Sequence, residues 1–88
     1  MQLQGVAAYD VVMETTATVV LTHTPETTRL VEIVDGLAED IGEPGQKVSY
    51  IISDTLPPGL PVGHQDQLSA QKRDSGPDAV YLVVVCED

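Results

Sequence analysis

Apolar and polar residues alternate along the first quarter of the chain. Ala7, Tyr9, Val11 and Met13 stand against Ala8, Asp10, Val12 and Glu14, and Val19 and Leu21 continue against Thr18, Val20 and Thr22. A period of two is that of a strand, with one set of side chains on each face. The segment from Val6 to Thr24 therefore reads as strand. The alternation lapses at Thr15–Thr16, a hairpin turn or a bend in one long strand; two strands are preferred, although no Gly, Pro or Asn marks a hairpin turn there.

The period then changes. Leu30, Ile33, Val34, Leu37 and Ile41 recur at helical spacing and fall within an arc of about 100°. Thr24 suits an N-cap, Pro25 the first helical position and Glu26 the first turn, where the helix dipole favours an anion. Gly42 and the Pro44–Gly45 pair supply the stop. The spacing predicts an amphipathic helix over 24–42.

Lys47 to Ser53 returns to a period of two, with Val48, Tyr50 and Ile52 on one face and Ser49, Ile51 and Ser53 on the other. Residues 54–78 hold Pro57, Pro58, Gly59, Pro61, Gly63, Gly76 and Pro77 and read as one long loop, with a helical turn or two between Gln65 and Arg73. The run Ala79 to Cys86 (AVYLVVVC) is apolar on both faces, the signature of a strand covered on both sides. It belongs at the centre of the sheet. The expected fold is a single α+β domain over 1–88. Its mostly antiparallel four-stranded sheet has the order β-β-α-β-long loop-β, with one amphipathic helix on one face.

That arrangement leaves too much apolar surface for one helix. If Tyr9, Val11, Val19, Leu21, Val48, Tyr50, Ile52, Val80, Leu82 and Val84 face the helix, the far side shows Val12, Val20, Ile51, Tyr81, Val83 and Val85. Each aliphatic side chain fully buried is worth ~1.5–3 kcal/mol, and an uncovered patch invites aggregation. Two coverings are available. The long loop can fold back, using Leu56, Leu60, Val62 and Leu68, or a second polypeptide can cover the patch. Strands with free edges also invite extension by a neighbour.

Composition narrows the partners. The formal net charge is −10, from 14 acidic residues against Arg29, Lys47, Lys72 and Arg73. Phosphate backbones are held by clustered Lys and Arg, so direct nucleic-acid binding is not expected, and anionic membrane surfaces are disfavoured on the same ground. A basic protein partner, or adaptation to high salt, fits the charge. Cys86 is the single cysteine, so no internal disulfide forms. No signal peptide is recognised at the N-terminus, and no apolar run approaches the ~20 residues of a membrane-spanning helix. The expected location is the cytoplasm, or a particle assembled there.

Glu32, Asp35, Glu39 and Glu43 recur opposite the apolar stripe. Most acidic helix faces are only solvated. Here Glu39, Asp40 and Glu43 crowd the C-terminal end, where the dipole disfavours anions, and Gly36 on the same face costs ~1 kcal/mol relative to Ala. Such breaches of local rules gather at functional surfaces. The other chemistry is thin. His23, His64 and Cys86 lack paired metal-ligand spacing, so neither metal nor cofactor is expected. Ser53, Asp54, His64 and Asp66 form no recognisable nucleophile motif, and a domain this small has little room for a pocket of the ~300 Å³ or more that ligands need. The single Pro-x-x-Pro, Pro58 to Pro61, lacks a basic flank and reads as a stiffened loop.

The sequence thus points to a non-enzymatic protein-interaction module. It reads as a self-assembling structural or accessory subunit, for example of a virus or phage particle. The alternative is an acidic inhibitor of a basic surface, of the antitoxin, immunity-protein or DNA-mimic kind. The candidate surfaces are the helix face Glu32, Asp35, Glu39 and Glu43, and the sheet face Val12, Val20, Ile51, Tyr81, Val83 and Val85.

Overall fold

The structure, a computed structural model, describes residues 14–88. Five elements follow one another: β1 (Glu14–Leu21), α1 (Thr27–Ile41), β2 (Lys47–Ser53), α2 (Val62–Ser75) and β3 (Val80–Glu87). The sheet has the order β1-β3-β2, and both pairings are antiparallel. The described residues form an α+β fold with a three-stranded antiparallel sheet and two helices. It differs from the four strands and one helix expected. The strand expected over Val6–Met13 lies outside the described residues. Thr15 and Thr16 do not form a turn: they sit inside β1, opposite Cys86 and Val85.

The final strand is central, as its two apolar faces require. Val19 and Ile52 flank Leu82 from either side, and Ala17 and Tyr50 flank Val84. Leu82 and Val84 are fully buried, and with Cys86, Leu30 and Val34 they form the core under α1. Val19, Leu21, Ile33, Leu37, Ala38, Ile41 and Ile52 pack around it. Opposite residues of paired strands share a face. Among the described residues, Val19, Leu21, Val48, Tyr50 and Ile52 therefore share the face expected of them, and the parity of the last strand, which its sequence leaves open, is set by this pairing.

The helix α1 begins later than its sequence signals suggest. Its N-cap is Glu26, whose carboxylate accepts the Arg29 backbone N–H at 2.9 Å, and Thr24 and Pro25 precede the helix. A longer carboxylate does here what Thr24 was expected to do. The helix ends at Ile41, and the Gly42 N–H donates to the Ala38 carbonyl at 2.8 Å. Gly42 is required for closeness rather than for its backbone angle. A Cβ built there would stand 2.9 Å from both the Ala38 oxygen and the Cys86 sulfur. The helix end thus rests directly on β3. Glu43 to Gln46 then forms a turn, closed by the Gln46 N–H on the Glu43 carbonyl at 3.3 Å, with Gly45 at φ 88. Pro44 followed by a left-handed glycine is the pattern of a type II turn.

The segment 54–78, expected as a long loop, carries the second helix. Residues Val62–Ser75 are continuous α-helix, well beyond the turn or two expected at Gln65–Arg73. Its N-terminus is braced by the Gln65 side-chain amide, which donates to the Leu60 carbonyl at 2.7 Å. Its half-buried positions are Gln65, Leu68, Ser69, Ala70, Lys72 and Ser75. That buried side is mostly small or polar, so no apolar stripe announced it. The helix lies across the sheet from α1. The Lys72 ammonium stands 5.9 Å from the centre of the Tyr81 ring, a cation–π contact, and Tyr81 and Val83 are buried.

The packing sets opposite outcomes for two glycines on α1. A Cβ at Gly36 would meet nothing within 4 Å. Gly36→Ala should therefore stabilise the fold by about 1 kcal/mol, seen as a higher urea midpoint at unchanged slope. Gly42→Ala must push the helix end off Cys86 and should cost ~1–3 kcal/mol in the same measurement.

Candidate interaction surface

The helix α1 makes its main sheet contacts with β3 and β1, and α2 makes its own with β1. The edge strand β2 gives only Ile52 to the core beneath α1. The rest of β2 is left open on both faces. Val48 and Tyr50, on the α1 side, are 45% and 42% exposed, and Ile51, on the α2 side, is 62% exposed. Among the described residues the other exposed large apolar side chains are Val31 and Val62. Three of the five therefore fall within seven consecutive residues. A strand at a sheet edge also carries a row of backbone N–H and C=O groups with no partner strand. Among the described residues, open edge and apolar flanks coincide on β2.

The second sheet face divides. Tyr81 lies beside the chain's own α2, with Lys72 over its ring, so the fold-back of 54–78 supplies part of the covering, and Val83 is buried too. Val20 and Val85 are half-buried, and Ile51 is exposed. Val12 lies outside the described residues. What stays open is the strip along β2 rather than the whole face.

The acidic face divides too. Glu32, Asp35 and Glu39 are exposed on α1, as is Asp40, and no basic residue stands in the last turn. Glu43 is not on the helix. It lies in the following turn, with its backbone N–H held by the Gln46 side-chain oxygen at 2.7 Å. The fold gathers further carboxylates at this end of the sheet: Glu14 is opposite Glu87, and Glu87 is opposite Lys47. The α1 terminus sits above the same end, because Gly42 touches Cys86 and Cys86 pairs with Val48.

Cys86 is buried in the core, while His23 and His64 are exposed on separate elements. Among the described residues, no three His, Cys, Asp or Glu side chains are placed to hold a metal ion. The Ser53 hydroxyl is engaged with Thr55, whose hydroxyl and backbone N–H both lie 3.1 Å from it. A groove of about 580 Å³ runs beside the start of α1, lined by Leu21, His23, Arg29, Glu32 and Ile33 among others. This is more concave volume than the chain length suggested. It is open to solvent, and no polar or charged side chain among the described residues is buried to focus a ligand. No helix among the described residues is long and apolar enough to cross a membrane.

Fold and surface together define a small α+β domain whose most apolar opening, among the described residues, is a sheet edge. Compared with protein-family models, curated protein sequences and solved structures, the chain matches none.

The sequence pattern indicated an excess of apolar sheet surface but not where it would lie. The signal for β2 was Ile51, an apolar residue on the otherwise polar face of a strand. Amide hydrogen exchange should show the division directly. Amides of β3 should exchange slowest, while about half of those in β2, the ones pointing away from β3, should exchange fast. Uniform protection along β2 in a dilute monomer would mean that this edge is already covered.

Proposed function

We propose that this protein is a non-enzymatic interaction module that assembles with copies of itself through the sheet surface its helices leave open. The observation that carries the reading is the strip Val48, Tyr50 and Ile51, apolar on both faces of one edge strand. A domain that bound nothing would be expected to blunt such an edge with charge, proline or a bulge. Here the strand carries one charged residue, Lys47, at its first position. Size-exclusion chromatography with light scattering tests the reading. The mass should rise with concentration through the micromolar range and above, and a single monomer peak throughout would refute self-assembly.

A second reading rests on a separate observation. The side chains of Glu32, Asp35, Glu39 and Asp40 are all exposed along α1, with no cation in its last turn to balance them. Such a surface can dock on a basic protein and block it. Replacing Glu32, Asp35 and Glu39 with Lys should leave the fold intact, since all three are exposed, and should abolish capture of a basic partner from the native host. Capture undiminished by the triple change would eliminate this reading.

A further inference from the structure

We infer that β2 is the self-interface: two copies join edge to edge, antiparallel, about a two-fold axis at Tyr50, making one continuous sheet. The inference rests on the self-assembly reading and names the surface it uses.

Symmetry restricts the register. A two-fold pair of antiparallel edges places residues of equal parity opposite one another, so that both copies keep their helices on matching sides. Tyr50 is the middle residue of Lys47–Ser53, and centring there pairs all seven residues. On the α1 side Val48 meets Ile52, and Tyr50 meets the partner's Tyr50. On the α2 side Ser49 meets Ile51, and Lys47 meets Ser53. No like charges face each other. The side chains brought together are the ones the fold leaves exposed, Val48, Tyr50 and Ile51. Centring on Ile51 instead would set Val48 against Asp54.

Charge selects the antiparallel arrangement. Each copy carries −10, and the carboxylates Glu14, Glu87, Glu39, Asp40 and Glu43 collect at the Lys47 end of the sheet. An antiparallel join sets the two acidic ends at opposite ends of a strand about 24 Å long, at ~3.4 Å per residue. That exceeds the screening length of about 8 Å at physiological salt. A parallel join would set them side by side. The β1 edge is less suited, because its exposed residues, Glu14, Thr15 and Thr16, are polar.

The contact is small. A strip about 24 Å by about 10 Å on each copy falls well below the roughly 1,200 Å² of a standard stable interface, so the dimer is reversible and salt-sensitive. Screening the mutual repulsion should strengthen it.

The test is sedimentation equilibrium on the full chain, from ~10 μM to ~1 mM, the range of weak association. Three chains are compared: wild type, Tyr50→Lys and Asp66→Asn. Both substitutions lower the net negative charge by one. If association were limited by overall repulsion alone, both would strengthen it. At the proposed interface Tyr50→Lys sets two ammonium groups across the axis and should weaken association about tenfold or more, equivalent to ~1.4 kcal/mol. Asp66→Asn, on exposed α2 surface, should leave association equal or stronger. Raising the salt should strengthen the wild-type dimer. Far-ultraviolet circular dichroism confirms the fold of each variant, and Ile51→Lys, at an exposed position, serves if Tyr50→Lys does not fold. Contacts between Val48 of one copy and Ile52 of another, in a mixed-label magnetic resonance sample, would fix the register. Association unchanged in Tyr50→Lys and Ile51→Lys overturns the interface but leaves self-assembly standing. A wild-type monomer at every concentration overturns both.

Discussion

The structure depends on one strand that has no polar side to show to water. Along β3 the alternating residues Leu82, Val84 and Cys86 on one face and Tyr81 and Val83 on the other are all buried. Each such side chain gains ~1.5–3 kcal/mol by leaving water, so both faces must be covered. Pairing on each edge by β1 and β2 satisfies the backbone. A helix on each face then covers the side chains.

The two covers are unequal. The amphipathic helix α1 brings Leu30 and Val34 into the core and rests its glycine terminus on Cys86. The second helix has no comparable stripe. It covers Tyr81 partly with the stem and ammonium of Lys72, a side chain able to lie along apolar surface while its charge reaches solvent. Both helices lie toward β1, and the connection of only five residues between β1 and α1 keeps α1 near the strand it leaves. The cost of that bias falls on β2.

Charge acts against the same surface. No polar or charged side chain is buried among the described residues, so the excess of carboxylates lies outside the core. Net charge far from zero keeps a protein dispersed and opposes its compact state. A weakly sticky edge on a strongly anionic body is a balance that ionic strength can shift.

Much of this was legible in the residues, for physical reasons. A strand has a period of two, so that Val19 shares a face with Leu21, and Val48 with Ile52, followed from alternation alone, whereas the parity of β3, apolar on both faces, was set by its pairing. A run apolar on both faces can be stable only inside a sheet, which placed β3. The stripe from Leu30 to Ile41 identified α1, although its cap did not: Thr24 and Glu26 can both accept a backbone N–H, and the path of the chain from β1 chose between them. The surplus of apolar sheet surface and the row of acids on α1 were likewise present in the pattern. What the sequence withheld was α2 and the place of the opening. Residues 62–75 mix Gln, Ser, Ala and Lys on the side they bury, so neither period marks them, and their helix takes its position by packing on β1 with Lys72 over Tyr81. Which strand stays uncovered depends on where two helices settle across three strands. That is settled by packing between segments distant in sequence, and no local pattern encodes it.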